Sequence, residues 1–329
     1  MKFVKTFMRQ PLVSVCLITY NHEKFIAQAI ESVLMQKVNF GWEFIIADDC
    51  STDRTREIIK QYKAKHPFIK LILQEKNVGP AQNFDDLIKS PTGKYIAYFE
   101  GDDYWTDSLK LQKQVDFLEA NPDFAICFHK VGVKCEVDDE KSYISNQNQK
   151  EITTFEDLTV KNYIHSLSCV FRNNLFGDFP EWFKESPLGD YPLHLLNAMH
   201  GKIKFFDDLM GVYRVHQGGI WSLQGREKGS LDFMKTIEFC KNHFAPRGEE
   251  EFSKMIDESL TTLCFISFEN GKYKDCRYYY LKCIKSIWRR NLRTTLNLTV
   301  RFLLSYSPNL SRIFRKLRTN STTFSEVEF

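Results

Sequence analysis

Apolar positions in the first third of the chain form short unbroken runs: Leu12 to Thr19, Trp42 to Ala47, Phe68 to Leu73, and the stretch that opens at Tyr95. Such runs are the pattern of strands covered on both faces. Between them the spacing becomes helical. Phe25, Ile26, Ala29, Ile30, Val33 and Leu34 line one face, then Ile58, Ile59 and Tyr62, then Phe84, Leu87 and Ile88. Asn21-His22, the polar run from Asp48 to Asp53, and Asn77-Val78-Gly79-Pro80 break the pattern, and Asp53 is suited to cap the helix after it. This alternation predicts a mostly parallel sheet with right-handed crossover helices. The fourth strand lies between Gly93 and Gly101, and a helix is expected from Ser108 to Ala120.

Beyond residue 121 the pattern loosens. Strands are expected at Phe124 to Val133, Ser168 to Arg172, Ile203 to Phe206 and Leu209 to Val215, with helices at Phe155 to Tyr163 and Pro192 to His200 and a polar loop at Asp138 to Lys150. From Gly225 onward only helical signals remain. Ser259 to Trp288 resembles one tetratricopeptide-type helix-turn-helix unit, bent at Glu269 to Tyr273. The expected organisation is a catalytic domain over 1–224, with halves at about 11–121 and 122–224, an all-helical region over 225–319, and a loose tail over 320–329.

Charge sharpens that division. Of 45 Lys and Arg, thirteen fall between Lys272 and Arg318 against one acid, Asp275. That segment carries +12 in a chain whose net charge is +3, which leaves −9 elsewhere. Within it basic residues interleave with Trp288, Leu292, Leu296, Phe302, Leu303 and Leu304. On a helix this suits an anionic membrane surface, packing on the catalytic domain, or nucleic acid; no nucleic-acid motif accompanies the charge, and a membrane surface is the expected partner. No apolar run reaches the roughly 18 residues of a membrane span. The nine cysteines form no CxxC pair, and residues 1–10 lack the apolar core of a secretory signal. Reduced thiols and a cytoplasmic place at the inner face of the cell membrane are therefore expected.

Candidate chemistry collects where the predicted strands end. Thr19-Tyr20-Asn21, Asp48-Asp49-Cys50-Ser51 and Glu100-Gly101-Asp102-Asp103 would share one edge of a parallel sheet, which is where open α/β sheets bind ligands. Adjacent carboxylates such as Asp102 and Asp103 suit Mg²⁺ or Mn²⁺, and through it a diphosphate; alternatively they cap the helix near Ser108. Arg214 and His216, two apart on a strand, would point the same way, toward a diphosphate or simply into solvent. Asp190 stands before a helix start, where it is a cap or a catalytic base. Trp105 either walls a pocket or joins the core.

Four motifs in order, Val13 to Asn21, Ile45 to Asp53, Asn77-Val78-Gly79, and Gly93 to Asp103, resemble glycosyltransferase family 2. The resemblance is strong over about 12–121 and weaker to about 221. It implies a GT-A fold, with a Rossmann-like sheet flanked by helices, and inverting, metal-dependent transfer of one sugar from a nucleoside-diphosphate sugar, UDP being the expected nucleotide. The acceptor implied is a hydroxyl of a lipid-linked, lipopolysaccharide or capsule glycan. By the same resemblance Tyr20 and Asp49 face the base, Thr19, Asn21, Ser51, Asn77 and Gly79 line the nucleotide, Asp102 meets ribose or metal, Asp103 the metal, and Asp190 is the general base. Arg214 and His216 would then close over the diphosphate, His216 as donor or further metal ligand. The chain departs from the pattern at Gln82, where many members carry Arg. A sugar nucleotidyltransferase would also use carboxylate-held metal, but the Gly-rich basic stretch expected after its first strand is missing from Asn21-His22-Glu23-Lys24. A non-catalytic scaffold has no use for carboxylates at Asp49, Asp102, Asp103 and Asp190.

Overall fold

The computed structural model describes residues 10–217, 219, 225–288, 291–307, 309–312 and 314. The expected tail, Gly218, and five of the basic residues (Arg289, Arg290, Arg315, Lys316, Arg318) lie outside them. Two compact units meet in the chain at Leu223 and Gln224.

In the first unit β1 (Val13–Thr19), β2 (Trp42–Asp48), β3 (Ile69–Leu73) and β4 (Tyr95–Glu100) run parallel in the spatial order β3-β2-β1-β4. Helices α1 (Ile26–Leu34), α2 (Thr55–Lys65) and α3 (Pro80–Ile88) make the crossovers. The apolar runs are buried as their composition requires: Val15, Leu17, Phe44, Ile46, Ala97 and Phe99 are inaccessible to solvent and share one core with Ile26, Ala29, Ile30 and Val33 of α1. Burying each large side chain contributes about 1.5–3 kcal/mol, so this core dominates the unit's stability. Because the chain turns from β1 toward β2 on one side and β4 lies on the other, the carboxyl ends of these three strands flank a switch point of the sheet.

The sheet continues with reversed strands. β5 (Tyr104–Trp105) is a two-residue strand absent from the sequence reading, followed by α4 (Lys110–Ala120) and β6 (Phe124–Cys135). Then come β7 (Tyr143–Ile144), β8 (Ile152–Thr153), α5 (Phe155–Val160), β9 (Val170–Arg172), α6 (Asp190–Ala198) and β10 (Lys202–Val215). Beyond β4 the order is β9-β6-β10-β5, with β9 antiparallel to β4 and β6, and β10 parallel to β6. The two strands expected at 203–206 and 209–215 are one strand, irregular in register between Phe206 and Gly211. A bulge there absorbs Asp207 and Asp208 without ending the ladder. The helix expected at 155–163 stops at Val160, although Thr154 and Asp157 form a capping box at its start. Trp105 belongs to the core: its ring lies 4.8 Å from that of Phe99, and Nε1 donates to the Leu167 carbonyl at 2.8 Å.

The second unit is helical: α7 (Gly225–Phe244), α8 (Glu249–Glu269), α9 (Tyr273–Ile287) and α10 (Leu292–Leu304). Leu260, Cys264, Phe268, Cys276, Cys283 and Leu298 form its core. The bend expected at 269–273 separates α8 from α9.

Candidate active site

The carboxyl ends of β1, β2, β4 and β10 carry the polar residues singled out in the sequence, and two interlocking loops follow β1 and β2. Asn21, at φ 56°, donates its N–H to Ser51 Oγ at 2.9 Å and accepts the Thr52 N–H at 2.8 Å. Asn tolerates this left-handed backbone better than most residues because its short amide bonds locally. Ser51 Oγ in turn donates to Asp48, whose other oxygen takes Arg56 Nε at 2.5 Å. Asn21 and Ser51 thus build the loops, while Tyr20 and Asn77 stand exposed beside them.

Asp49, expected to face a base, is 3% exposed. Its two oxygens accept the N–H groups of Val78 (2.7 Å) and Gly79 (2.9 Å), with Gly79 at φ 87°. Burial raises its pKa while those two N–H groups oppose the rise. In this structure Asp49 therefore holds the 77–79 turn against β2. Gln82, at the position of the missing Arg, donates to Asp86 at 2.8 Å.

The second cluster is centred on Asp102. Its Oδ2 lies 3.0 Å from His216 Nε2 and 3.7 Å from His22 Nε2, and the three donor atoms are all within 4.8 Å of one another. Oδ1 is buried with no hydrogen-bond partner among the described residues. Burial acts to raise the Asp102 pKa, but the His216 hydrogen bond and the two imidazoles outweigh it and hold the carboxyl below its ordinary range. Burial pushes the His22 pKa down, against the pull of Asp102. Two imidazoles and a carboxylate with an unpartnered oxygen fit a divalent cation.

Asp103 is not in this cluster. It is 1% exposed, and its Oδ1 accepts the Arg214 backbone N–H at 2.9 Å. Burial, then Asp102 and Glu100, push its pKa well up. Two adjacent residues at a strand end point to opposite sides, and here Asp102 takes the cleft while Asp103 turns inward. Asp103 Oδ2, like Asp102 Oδ1, is buried without a hydrogen-bond partner among the described residues.

Arg214 is also turned inward. Its guanidinium sits 4.3 Å from the Tyr104 ring centroid and 4.9 Å from that of Phe25, and it donates to the Asp102 carbonyl and to Gln28 Oε1. With its fork engaged by the protein it braces the Asp102 turn, and the forked grip on a diphosphate expected of it is not available in this arrangement.

Asp190 is the first residue of α6, one position after the N-cap, Gly189. Burial raises its pKa, opposed by the N–H groups of Tyr191 and Asp190 itself and by Ser166. Glu100, which the sequence reading placed in the cluster after the fourth strand but gave no role of its own, joins the same group. Burial, then the charges of Asp102 and Asp190, push it up to about 8, and it accepts from Tyr98 OH at 3.3 Å. The Glu100-x-Asp102 spacing at the end of β4 was its one sequence signal. His22, which the sequence reading named only in a break between elements, had one too: it lies three residues beyond the end of β1, a strand that ends on this edge.

A mostly parallel, Rossmann-like sheet with carboxylates and imidazoles converging at its switch point is the arrangement of a GT-A fold. In agreement, the fold matches that of Staphylococcus aureus TarS in complex with UDP-GlcNAc, with a TM-score of 0.61 at 19% identity over 92% of this chain and 91% of that one. Residues 14–177 match the sequence model of glycosyl transferase family 2, and the chain carries a domain of that family. Rv1520 of Mycobacterium tuberculosis is 38% identical over 211 residues, 64% of this chain and 60% of that protein. The putative teichuronic acid biosynthesis glycosyltransferase TuaG of Bacillus subtilis is 39% identical over 109 residues, 33% of this chain and 42% of that protein. Less than two thirds of either relative's length is matched.

Proposed function

We propose that the chain transfers one sugar, with inversion, from a nucleoside-diphosphate sugar to a hydroxyl of a surface glycan or its lipid-linked precursor. The observation that carries this is the convergence of Asp102, which lies in the segment matching family 2, with His216 and Asp190, which lie beyond it. The acceptor oxygen attacks the anomeric carbon, the bond to the diphosphate breaks with its electron pair, and the acceptor proton passes to the Asp190 carboxylate. A carboxylate raised by burial is a stronger base than an exposed one, which suits that task. Asp102 and His216 would hold a divalent cation, which neutralises charge on a departing diphosphate when bound. Asp49 shapes the nucleotide wall through the 77–79 turn, and Arg214 and Asp103 keep Asp102 in place. UDP is favoured as the nucleotide by the family resemblance and by the ligand of TarS, and a surface-glycan acceptor by the kinship to TuaG.

The test is titration of the full chain with UDP, GDP, ADP and dTDP, with and without Mn²⁺, followed by metal-dependent donor hydrolysis. Tight, metal-enhanced binding of one nucleotide is expected; no binding of any of them overturns the reading.

The second unit supports a peripheral place on an anionic membrane. On α10, Leu292, Leu296, Val300 and Leu303 form an outward stripe, each between 42% and 63% exposed, while Thr295, Leu298 and Arg301 face the unit's core. Trp288 and Leu281 are exposed nearby in sequence, and Lys274, Lys282, Lys285 and Arg293 are exposed around them. Like charge disfavours a second copy of this face, whereas acidic lipid complements it at about 1 kcal/mol per basic residue. No helix among the described residues is long and apolar enough to cross a membrane.

A further inference from the structure

We propose that His22 is a ligand of the site's divalent cation, so that two imidazoles and one carboxylate hold the ion and bias the site toward Mn²⁺ and later transition metals over Mg²⁺. The inference rests on the transfer reading and adds to it which ion is chosen and when it arrives.

Three features single His22 out. Its Nε2 lies 3.7 Å from the Asp102 oxygen that His216 approaches at 3.0 Å. Neighbouring ligands of one ion at about 2.1 Å stand roughly 3 Å apart, so small side-chain rotations bring all three onto one centre. Thr19 Oγ1 lies 3.2 Å from His22 Nδ1, a partner that fixes the ring's orientation and, by accepting the Nδ1 proton when Nε2 binds an ion, would suit it as a ligand. Gly101 packs against Thr19, where a Cβ would come within 2.8 Å of Oγ1, so the orienting hydroxyl is itself held. The backbone is anchored as well, since the His22 carbonyl accepts the N–H groups of Phe25 (2.9 Å) and Ile26 (2.8 Å).

A plain hydrogen bond to Asp102 accounts for one imidazole. Two imidazoles converging on one carboxylate, whose other oxygen is buried without a partner, make a ligand set. Paired aspartates would have suited Mg²⁺; imidazole nitrogens favour the transition metals. Three protein ligands also allow the ion to bind before the sugar nucleotide, whereas two would lean on the diphosphate to complete the site.

The test is Mn²⁺ titration of the nucleotide-free full chain, followed by the paramagnetic resonance signal of the free ion, with Mg²⁺ as competitor. Pulsed resonance on the bound ion then counts coordinated imidazole nitrogens. The unaltered protein should bind Mn²⁺ without nucleotide, resist Mg²⁺ competition and show two nitrogens. His22→Gln should weaken Mn²⁺ binding roughly ten-fold or more, show one nitrogen, and keep its melting temperature. Unchanged affinity and nitrogen count in His22→Gln, or no nucleotide-free Mn²⁺ binding by the unaltered chain, would overturn the assignment. Nucleotide titration of both proteins in saturating Mn²⁺ separates the two ideas: failure of both to bind any nucleotide removes the transfer reading, whatever the nucleotide-free Mn²⁺ titration shows for His22.

Discussion

The backbone N–H of Arg214 donates to Oδ1 of Asp103 at 2.9 Å, joining positions 111 residues apart in the chain. Through this bond the end of β10 is fastened beneath the end of β4, and His216 is delivered to Asp102. Asp103→Ala should therefore act on stability first, because a buried N–H loses its acceptor at a cost of about 1–3 kcal/mol. Thermal unfolding should show a lowered midpoint, and Asp103→Asn, which keeps an acceptor, a smaller loss. An unchanged midpoint with abolished Mn²⁺ binding would restore Asp103 to the metal.

For Asp190→Asn, turnover should fall by roughly 10² to 10⁴ while donor affinity stays near normal, because only proton removal in the transition state is lost. Steady-state rates beside nucleotide titrations check this. Turnover close to the unaltered protein's would leave Asp190 a structural residue of α6.

Lys110 carries a pH prediction. Its Nζ is buried without a hydrogen-bond partner, 4.1 Å from the Trp105 ring centroid, and burial pushes its pKa from an ordinary value near 10.5 down to about 7. Between those values the unfolded chain holds a proton that the folded chain lacks, so this group's penalty grows as pH falls from 10.5 to 7 and is full below. In the folded chain burial keeps Cys127 and Cys169 as thiols and His129 neutral across that window, and the thiols' ionisation in the unfolded chain is common to both proteins, so the difference between them reports Lys110. Lys110→Met should stabilise the fold by several kcal/mol at neutral pH, with a gain that shrinks toward pH 10. Chemical denaturation at both pH values measures it, and a destabilised variant would mean that the amine has a partner worth keeping.

On α10, Leu296→Glu with Leu303→Glu should release the chain from vesicles containing phosphatidylglycerol, since both side chains point outward. The unaltered chain should sediment with those vesicles, not with phosphatidylcholine alone, and less so as salt rises. Equal recovery of both proteins would exclude this face. A lowered melting temperature or a change in oligomeric state in the variant would assign the stripe to packing or to a second copy instead.

Several elements could be read without coordinates because they follow from local chemistry. The buried runs at Val13–Thr19, Trp42–Asp48 and Tyr95–Glu100 admit only strands covered on both faces, and polar residues directly after such strands must meet at one sheet edge. That reasoning placed Thr19, Asp49 and Asp102 at one edge; Asp190 was singled out by its place before a helix and by the family resemblance. The outcome at Asp102 and Asp103 turned on which of two neighbours faces the cleft, and only the turn after β4 and its bond to Arg214 decide that. His22 and Arg214 changed roles for the same reason. An imidazole becomes a candidate ligand, and a guanidinium a brace, through partners 80 and 112 residues away in the chain, Asp102 in both cases, and distances of that kind arise only when the chain is folded.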